Sequence, residues 1–225
     1  MSERQVRIPI DGVTLDGDLT VPAMARGVVF FAHGSGSSRF SPRNRHVAGV
    51  LQESGLGTLL LDLVTPDEEQ IDASTDHLRF DIGMLAERLV QVTVWVGQQS
   101  ELRGLAVGYF GASTGGGAAL VAAAQRPDAV SAVVSRGGRP DLAGPALPRV
   151  TAPTLLIVGG LDLPVIDMNA AAQRQMRAET KPEIVPGASH LFEEPGTLDQ
   201  AALLARDWFL RCLASAHETG RGSAA

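Results

Sequence analysis

Five short runs of the chain are almost wholly apolar: Gly27 to Ala32, Thr58 to Leu63, Leu105 to Phe110, Ala129 to Ser135 and Thr154 to Gly159. A strand with apolar residues at successive positions has to bury both of its faces, which is the situation inside a parallel sheet. Thr14 to Val21 behaves differently. Leu15, Leu19 and Val21 alternate with Asp16, Asp18 and Thr20, which predicts an antiparallel edge strand, hairpinned to Gln5–Ile10 through the turn pair Asp11-Gly12. A further strand fits Lys181 to Val185. Between these runs the period lengthens. Ile82, Leu85, Leu89, Val92 and Val96 recur at helical spacing within Phe80 to Gln98, and helices are also expected over Asn44–Glu53, Thr114–Gln125, Val165–Glu179 and Leu198–Leu213. Strand–helix alternation of this kind predicts an open, mostly parallel α/β sheet with helices on both faces. Such sheets bind ligands beyond the carboxyl ends of their strands.

The residues that follow each strand are therefore the informative ones. His33-Gly34-Ser35-Gly36 follows the first apolar run, and Gly111-Ala112-Ser113-Thr114-Gly115-Gly116-Gly117 follows the third and enters a helix. Gly160-Leu161-Asp162 follows the fifth, and Gly187-Ala188-Ser189-His190 the last strand. Gly111-x-Ser113-x-Gly115 has the form of a nucleophile elbow, where a sharp strand-to-helix turn leaves room only for small flanking residues. A serine hydroxyl needs a base to take its proton, and the base needs a carboxylate to orient it. Asp162 and His190 stand at strand ends in the chain order Ser, Asp, His that this architecture uses. Bland readings exist for each: Ser113 as a plain helix N-cap, Asp162 as a turn residue, His190 as a loop histidine.

The segments HGSGSS, GASTGG, GGLDLPV and PGASHLFEEPG, together with Ser41-Pro42-Arg43-Asn44-Arg45 and LLLDLVTPDEEQ, resemble the α/β-hydrolase superfamily, and within it the small dienelactone hydrolase-like group. The resemblance runs from about Arg4 to Leu213. It implies the α/β-hydrolase fold, a catalytic triad of Ser113, Asp162 and His190, and an oxyanion hole from the backbone N–H groups of Ser35 and Thr114. One residue departs from the group. Dienelactone hydrolases carry cysteine at the elbow, whereas this chain has Ser113, and its only thiol, Cys212, lies on the last expected helix. Serine suits carboxylic-ester hydrolysis through an acyl-enzyme. Lactone or thioester cleavage, acyl transfer, and a noncatalytic binding module on the same fold remain the alternatives.

Other residues near the strand ends are candidates for contacting substrate. His33 reads as a brace of the oxyanion loop, with substrate contact as its alternative. Arg136 and Arg139 follow the fourth apolar run and are candidates for binding a carboxylate or phosphate, with solvated arginine as theirs. The acidic run Asp67-Glu68-Glu69 reads as a solvated face. The connection from Ser135 to Thr154 is short and broken by glycine and proline, so no cap domain is expected, and an open site suits small or extended soluble esters.

Composition narrows the function classes. The 225 residues are 44% hydrophobic and 20% charged with a net charge of −6. This is a globular balance without the basic stripe of a nucleic-acid binder. One cysteine excludes an internal disulfide and cysteine-rich zinc sites. No metal-binding histidine spacing occurs, and neither a metal nor a cofactor is expected. The phosphate-loop pattern is absent. The dinucleotide pattern fails because Leu120 stands where its third glycine belongs. The opening residues lack a secretory apolar core and no run is long enough to span a membrane, so the expectation is a cytoplasmic protein acting on a small-molecule ester. Residues 1–214 are expected to form one domain and 215–225 a disordered tail. Aromatics make up only 4% while glycines number 25, and the glycines cluster at the strand ends.

Overall fold

The computed structural model describes residues 3–75 and 77–222. Its strands are β1 Glu3–Ile10, β2 Val13–Thr20, β3 Val28–Ala32, β4 Gly57–Leu61, β5 Val107–Ala112, β6 Val130–Arg136, β7 Thr154–Gly159 and β8 Thr180–Val185. They form one sheet in the order β1-β2-β4-β3-β5-β6-β7-β8. The helices are α1 Pro42–Glu53, α2 Pro66–Thr75, α3 Ile82–Gln98, α4 Thr114–Gln125, α5 Leu163–Gln173 and α6 Thr197–Gly222. From β4 to β8 every neighbouring pair is parallel.

The continuous apolar runs are central because both sheet faces are covered. In β3, Val28, Phe30 and Ala32 enter the core under α3 and α4, while Val29 and Phe31 enter the opposite core under α1 and α6. Every β3 residue is buried. At about 25 cal/mol per Å² of apolar surface, such two-sided burial is the main term holding the layers together. Helix α6 sits close on the sheet. A Cβ at Gly108 of β5 would stand 2.6 Å from the Phe209 ring.

Several elements differ from the sequence expectation. The alternating strand β2 is not an edge. It lies between β1 and β4, antiparallel to both. Its polar face is covered as well: Asp18 is 2% exposed beneath Arg39 and Arg45, with which it pairs. Helix α6 spans Thr197–Gly222. Residues 223–225 lie outside the described ones. The connection from β6 to β7 is a 3-10 segment, Pro140–Arg149, and forms no cap.

Helix α2 was not anticipated, and its cause is local. Thr65 and Glu68 form a reciprocal capping pair: the Thr65 N–H donates to Glu68 Oε2 at 2.8 Å and the Glu68 N–H to Thr65 Oγ1 at 3.3 Å. Pro66 is tolerated where no N–H is needed. The acidic run is thus only partly solvated. Buried Arg88 of α3 grips Glu68 through its two terminal guanidinium nitrogens, at 2.8 and 2.5 Å, and donates to the Leu63 carbonyl at 2.6 Å.

That grip holds the Glu68 carboxyl down at about 2 from its ordinary 4.5, first through the Arg88 hydrogen bond. A depressed folded value means stability that is present above pH 4.5 and lost as the pH falls through about 2. Glu68 is partly exposed, so the contribution is roughly 2 kcal/mol after screening. Glu68→Gln should lower the urea midpoint at pH 7, and the gap to the parent should close as the pH falls below 4.5. A gap independent of pH would show that the charge is not what stabilises this corner.

Candidate active site

Strand β5 ends at Ala112 and helix α4 begins at Thr114, so the whole turn falls on Ser113. Its backbone is at φ 50° and ψ −121°, a region that costs a non-glycine residue about 1–3 kcal/mol. Ser113 occupies the N-cap position, yet its side chain makes no capping hydrogen bond. The hydroxyl is left to face outward. The neighbouring glycines are required by contact. A Cβ at Gly111 would stand 2.5 Å from the Gly115 carbonyl, and one at Gly115 would overlap the carbonyl oxygens of Ala32 and His33. A Cβ at Gly34 would meet the Ser113 Cβ at 3.0 Å.

Two loops bring the remaining candidates to this hydroxyl. After β7, the Gly160 N–H donates to Val185 O at 2.8 Å and the Leu161 N–H to Ala188 O at 2.9 Å. These bonds tie the Asp162 loop to the His190 loop. A Cβ at Gly159 would stand 2.5 Å from the carbonyls of Ala188 and Ser189, so the loops close only over glycine. Beyond His190 the chain buries Phe192 at a positive φ of 58°, and the Ser189 N–H donates to Glu194 Oε2 at 2.9 Å. This bond holds the Glu194 carboxyl below its usual range. The result is a chain of contacts. His190 Nδ1 lies 2.6 Å from Asp162 Oδ2, and His190 Nε2 lies 3.4 Å from Ser113 Oγ. With Nδ1–H donated to the carboxylate, the Nε2 lone pair faces the serine. Bonds of this kind commonly tighten when substrate arrives.

The loop after β3 is braced as expected of His33, which is buried. Its Nε2 accepts the Leu63 N–H at 3.1 Å, so its Nδ1 carries the proton and donates to Gly34 O at 2.9 Å. Leu63 is the residue whose carbonyl Arg88 holds. Of the two expected oxyanion donors, the Ser35 N–H donates to Thr114 Oγ1 at 2.9 Å, so the Thr114 hydroxyl links the loop to the first turn of α4. The sequence reading weighed only the Thr114 backbone and missed this hydroxyl.

Ser113 and His190 open into a cavity of about 250 Å³ that is also lined by Arg43, Asn44 and Arg136. Arg136 thus reaches the site. Arg139 does not line this cavity: it donates to Asp141 at 2.9 and 2.7 Å. Arg43 and Asn44, from the first turn of α1, were given no role by the sequence. The Ser-Pro pair that starts the helix was the available signal, since it fixes where a helix N-terminus points.

No family model matches the chain. The chain is 61% identical to a dienelactone hydrolase from Anabaena variabilis, with 94% of this chain and 98% of that one covered and a TM-score of 0.92. It also matches the esterase domain of a Rhodothermus marinus protein at 18% identity, with a TM-score of 0.74 over 94% of this chain and 100% of that one, a likeness of fold alone. The fold is therefore that of an α/β hydrolase. More narrowly, the chain belongs to the dienelactone hydrolase family. A Mycobacterium tuberculosis protein named provisionally as a phosphoribosyl transferase is 56% identical over 210 residues, which are 93% of this chain and 46% of that protein. The chain spans about half the length of the curated relatives it matches. No helix among the described residues is long and apolar enough to cross a membrane.

The glycine contacts predict a sharp contrast. Gly115→Ala should leave little soluble folded protein, because backbone carbonyls on β3 cannot retreat. Gly49→Ala in α1, where a Cβ meets nothing within 4 Å, should raise stability by about 0.5–1 kcal/mol. Thermal melts of both variants check this, and a well-folded Gly115→Ala protein would contradict the packing account.

Proposed function

We propose that the protein hydrolyses carboxylic esters of small, soluble substrates through an acyl-enzyme on Ser113. The observation that carries this reading is the contact chain from Asp162 through His190 to a serine hydroxyl at a strained strand-to-helix turn. In the first half-reaction His190 Nε2 takes the hydroxyl proton as Ser113 Oγ bonds to the ester carbonyl carbon. Asp162 keeps the imidazole in the Nδ1–H tautomer and stabilises the imidazolium. The carbonyl oxygen becomes an oxyanion against the Thr114 N–H at the α4 terminus, and the Ser35 N–H exchanges the Thr114 hydroxyl for it. Each such donor is worth roughly 3 kcal/mol. The tetrahedral intermediate collapses, the C–O bond to the alcohol breaks, and imidazolium protonates the leaving alkoxide. Water then repeats the sequence, with His190 as its base, to release the acid and free Ser113.

Serine at the elbow favours esters over the lactone chemistry in the name of the Anabaena relative. The transferase name of the mycobacterial relative we assign to the half of that protein which this chain does not span. Every group this mechanism uses stands on the present chain.

Ser113→Ala should fold normally and lose activity on a p-nitrophenyl acyl ester by roughly 10⁴-fold or more. Asp162→Asn should lose about 10⁴-fold, because the imidazole then favours the wrong tautomer. A fluorophosphonate should add once to the parent protein, by intact mass, and not to Ser113→Ala. Full activity in Ser113→Ala, or an adduct that moves to Cys212, would refute the serine mechanism.

A further inference from the structure

Helix α5 places one polar residue in the core. It buries only Val165, Asn169 and Ala172. Asn169 is 3% exposed, at a point of this stripe where leucine would suit both the helix and the burial better. Its amide nitrogen donates to Gly138 O at 3.0 Å and to Val165 O, one turn back, at 2.8 Å. Both partners are acceptors, so the N–H₂ and not the oxygen faces them. The amide oxygen meets no donor among the described residues. A half-matched buried amide stabilises a helix poorly. What sets this one apart is its hold on Gly138.

Gly138 belongs to a short segment, Arg136 to Arg139, that touches two members of the contact chain. Arg136 O accepts the Ser113 N–H at 3.3 Å, and the Arg139 N–H donates to Ser113 O at 3.0 Å. Both backbone groups of the strained serine are therefore held from this side. The same segment lies against the imidazole: a Cβ at Gly137 would stand 3.6 Å from His190 Nδ1 and Cε1 and 3.1 Å from His190 O. Yet the segment has no regular structure of its own, since β6 ends at Arg136 and the 3-10 segment starts at Pro140. It is anchored by the Gly137 N–H, which donates to Ile157 O at 2.7 Å, and by Asn169 on Gly138 O. Asn169 in turn stands about two turns, roughly 10 Å, along α5 from the N-cap residue Asp162. One helix thus carries the acid at its start and, further on, the donor that holds the backbone beneath base and nucleophile.

We infer that Asn169 is a positioning residue. Through Gly138 it fixes the Arg136–Arg139 segment, and through that segment it sets how His190 stands relative to Ser113 and Asp162. The catalytic consequence rests on the reading of Ser113 as nucleophile, whereas the placement of His190 does not. Asn169 touches no substrate and transfers no proton. The geometry is sensitive to such a support. His190 Nε2 lies 3.4 Å from Ser113 Oγ, at the far end of hydrogen-bond reach, so a further shift of a few tenths of an ångström breaks the path of the proton. A misplacement of about 1 Å caused from outside the reacting groups can cost on the order of 100-fold in rate.

Asn169→Leu keeps a side chain branched at the same carbon and removes both donors; Asn169→Ala removes them without adding bulk. In each, kcat on p-nitrophenyl acetate should fall by roughly 30-fold while KM stays within about twofold, because the loss is one of geometry in the transition state. Asn169→Leu should melt close to the parent, since it strands the Gly138 carbonyl but also removes the unmatched amide oxygen. Val165→Ala is the control. It empties space on the same buried stripe without touching the Gly138 bond, so it should melt lower yet keep kcat within about twofold. A second readout needs no turnover. The low-field proton signal of the His190 Nδ1–H bond to Asp162, identified by its loss in His190→Gln, should shift or broaden in the Asn169 variants and stay in place in Val165→Ala. This signal separates the two readings: if it moves while Ser113→Ala is fully active, the serine mechanism falls and the positioning role stands. The positioning role is overturned by an unmoved signal, or by parental kcat in the Asn169 variants when Ser113→Ala is inactive. It is overturned equally by a loss carried in KM, or by an equal loss of kcat in Val165→Ala. If neither Asn169 variant folds, the amide is a structural prop and the inference is wrong.

Discussion

The structure turns on how closely the first turn of α4 approaches the ends of its neighbouring strands. Gly115 lies against the carbonyls of Ala32 and His33, Gly116 against Ser135 and Gly138, and Gly117 against the Arg139 carbonyl. No side chain fits at these contacts. The helix therefore seats directly over β3, β5 and β6, and its free N–H groups stand at the sheet's carboxyl edge, where the helix dipole favours negative charge. A one-residue turn is all that then connects β5 to α4, and Ser113 must take a backbone conformation that L-residues avoid. The strain of about 1–3 kcal/mol is small beside the apolar burial of strands whose every residue is covered on both sheet faces. Fold and chemistry thus share one cause: the packing that requires glycine also presents the hydroxyl.

The other two members of the contact chain are held by loops rather than by regular elements, yet those loops have little freedom. Backbone bonds from Gly160 and Leu161 to the β8 loop make the Asp162 and His190 segments one unit. Phe192 acts as an anchor, buried to 2% exposure two residues beyond His190, and Glu194 closes the loop on the Ser189 N–H. On the far side the brace runs from Glu68 to Arg88, from Arg88 to the Leu63 carbonyl, and from the Leu63 N–H to His33. A capping pair on a surface helix is in this way connected to the loop that carries Ser35.

Much of this was legible in the sequence because it follows from strong, local signals. Uninterrupted apolar runs such as VVFFA and TLLIVG mark doubly buried strands, and a glycine-flanked serine between strand and helix marks a sharp, tightly packed turn. What was missed depends on partners distant in the chain. Alternation in β2 shows that its faces differ, but an edge strand and a second strand covered by arginines alternate alike. Helix α2 has polar residues on most sides and owes its place to Thr65, Glu68 and Arg88, a pairing invisible without the fold. Arg136 and Arg139 follow the same strand and read alike. The parity of β6 turns the first under the sheet end, while the second, three residues on, finds Asp141 in the next turn.

The bond between the Ser35 N–H and the Thr114 hydroxyl bears on how the proposed oxyanion hole would discriminate. A donor left open to water gains from any carbonyl that enters, in the ground state as much as in the transition state, and such uniform binding does not raise kcat. Here the donor is already satisfied by a neutral oxygen at 2.9 Å. A ground-state ester carbonyl, also neutral, offers nothing better. A developing oxyanion does, because a hydrogen bond to a charged acceptor is roughly twice as strong as one between neutral groups. The Ser35 N–H is then transferred mainly once charge has formed, and the Thr114 hydroxyl it leaves is free to turn its own proton toward the same oxygen. On this account the residue after the nucleophile contributes twice, through its N–H and through a hydroxyl that reserves its partner for the transition state.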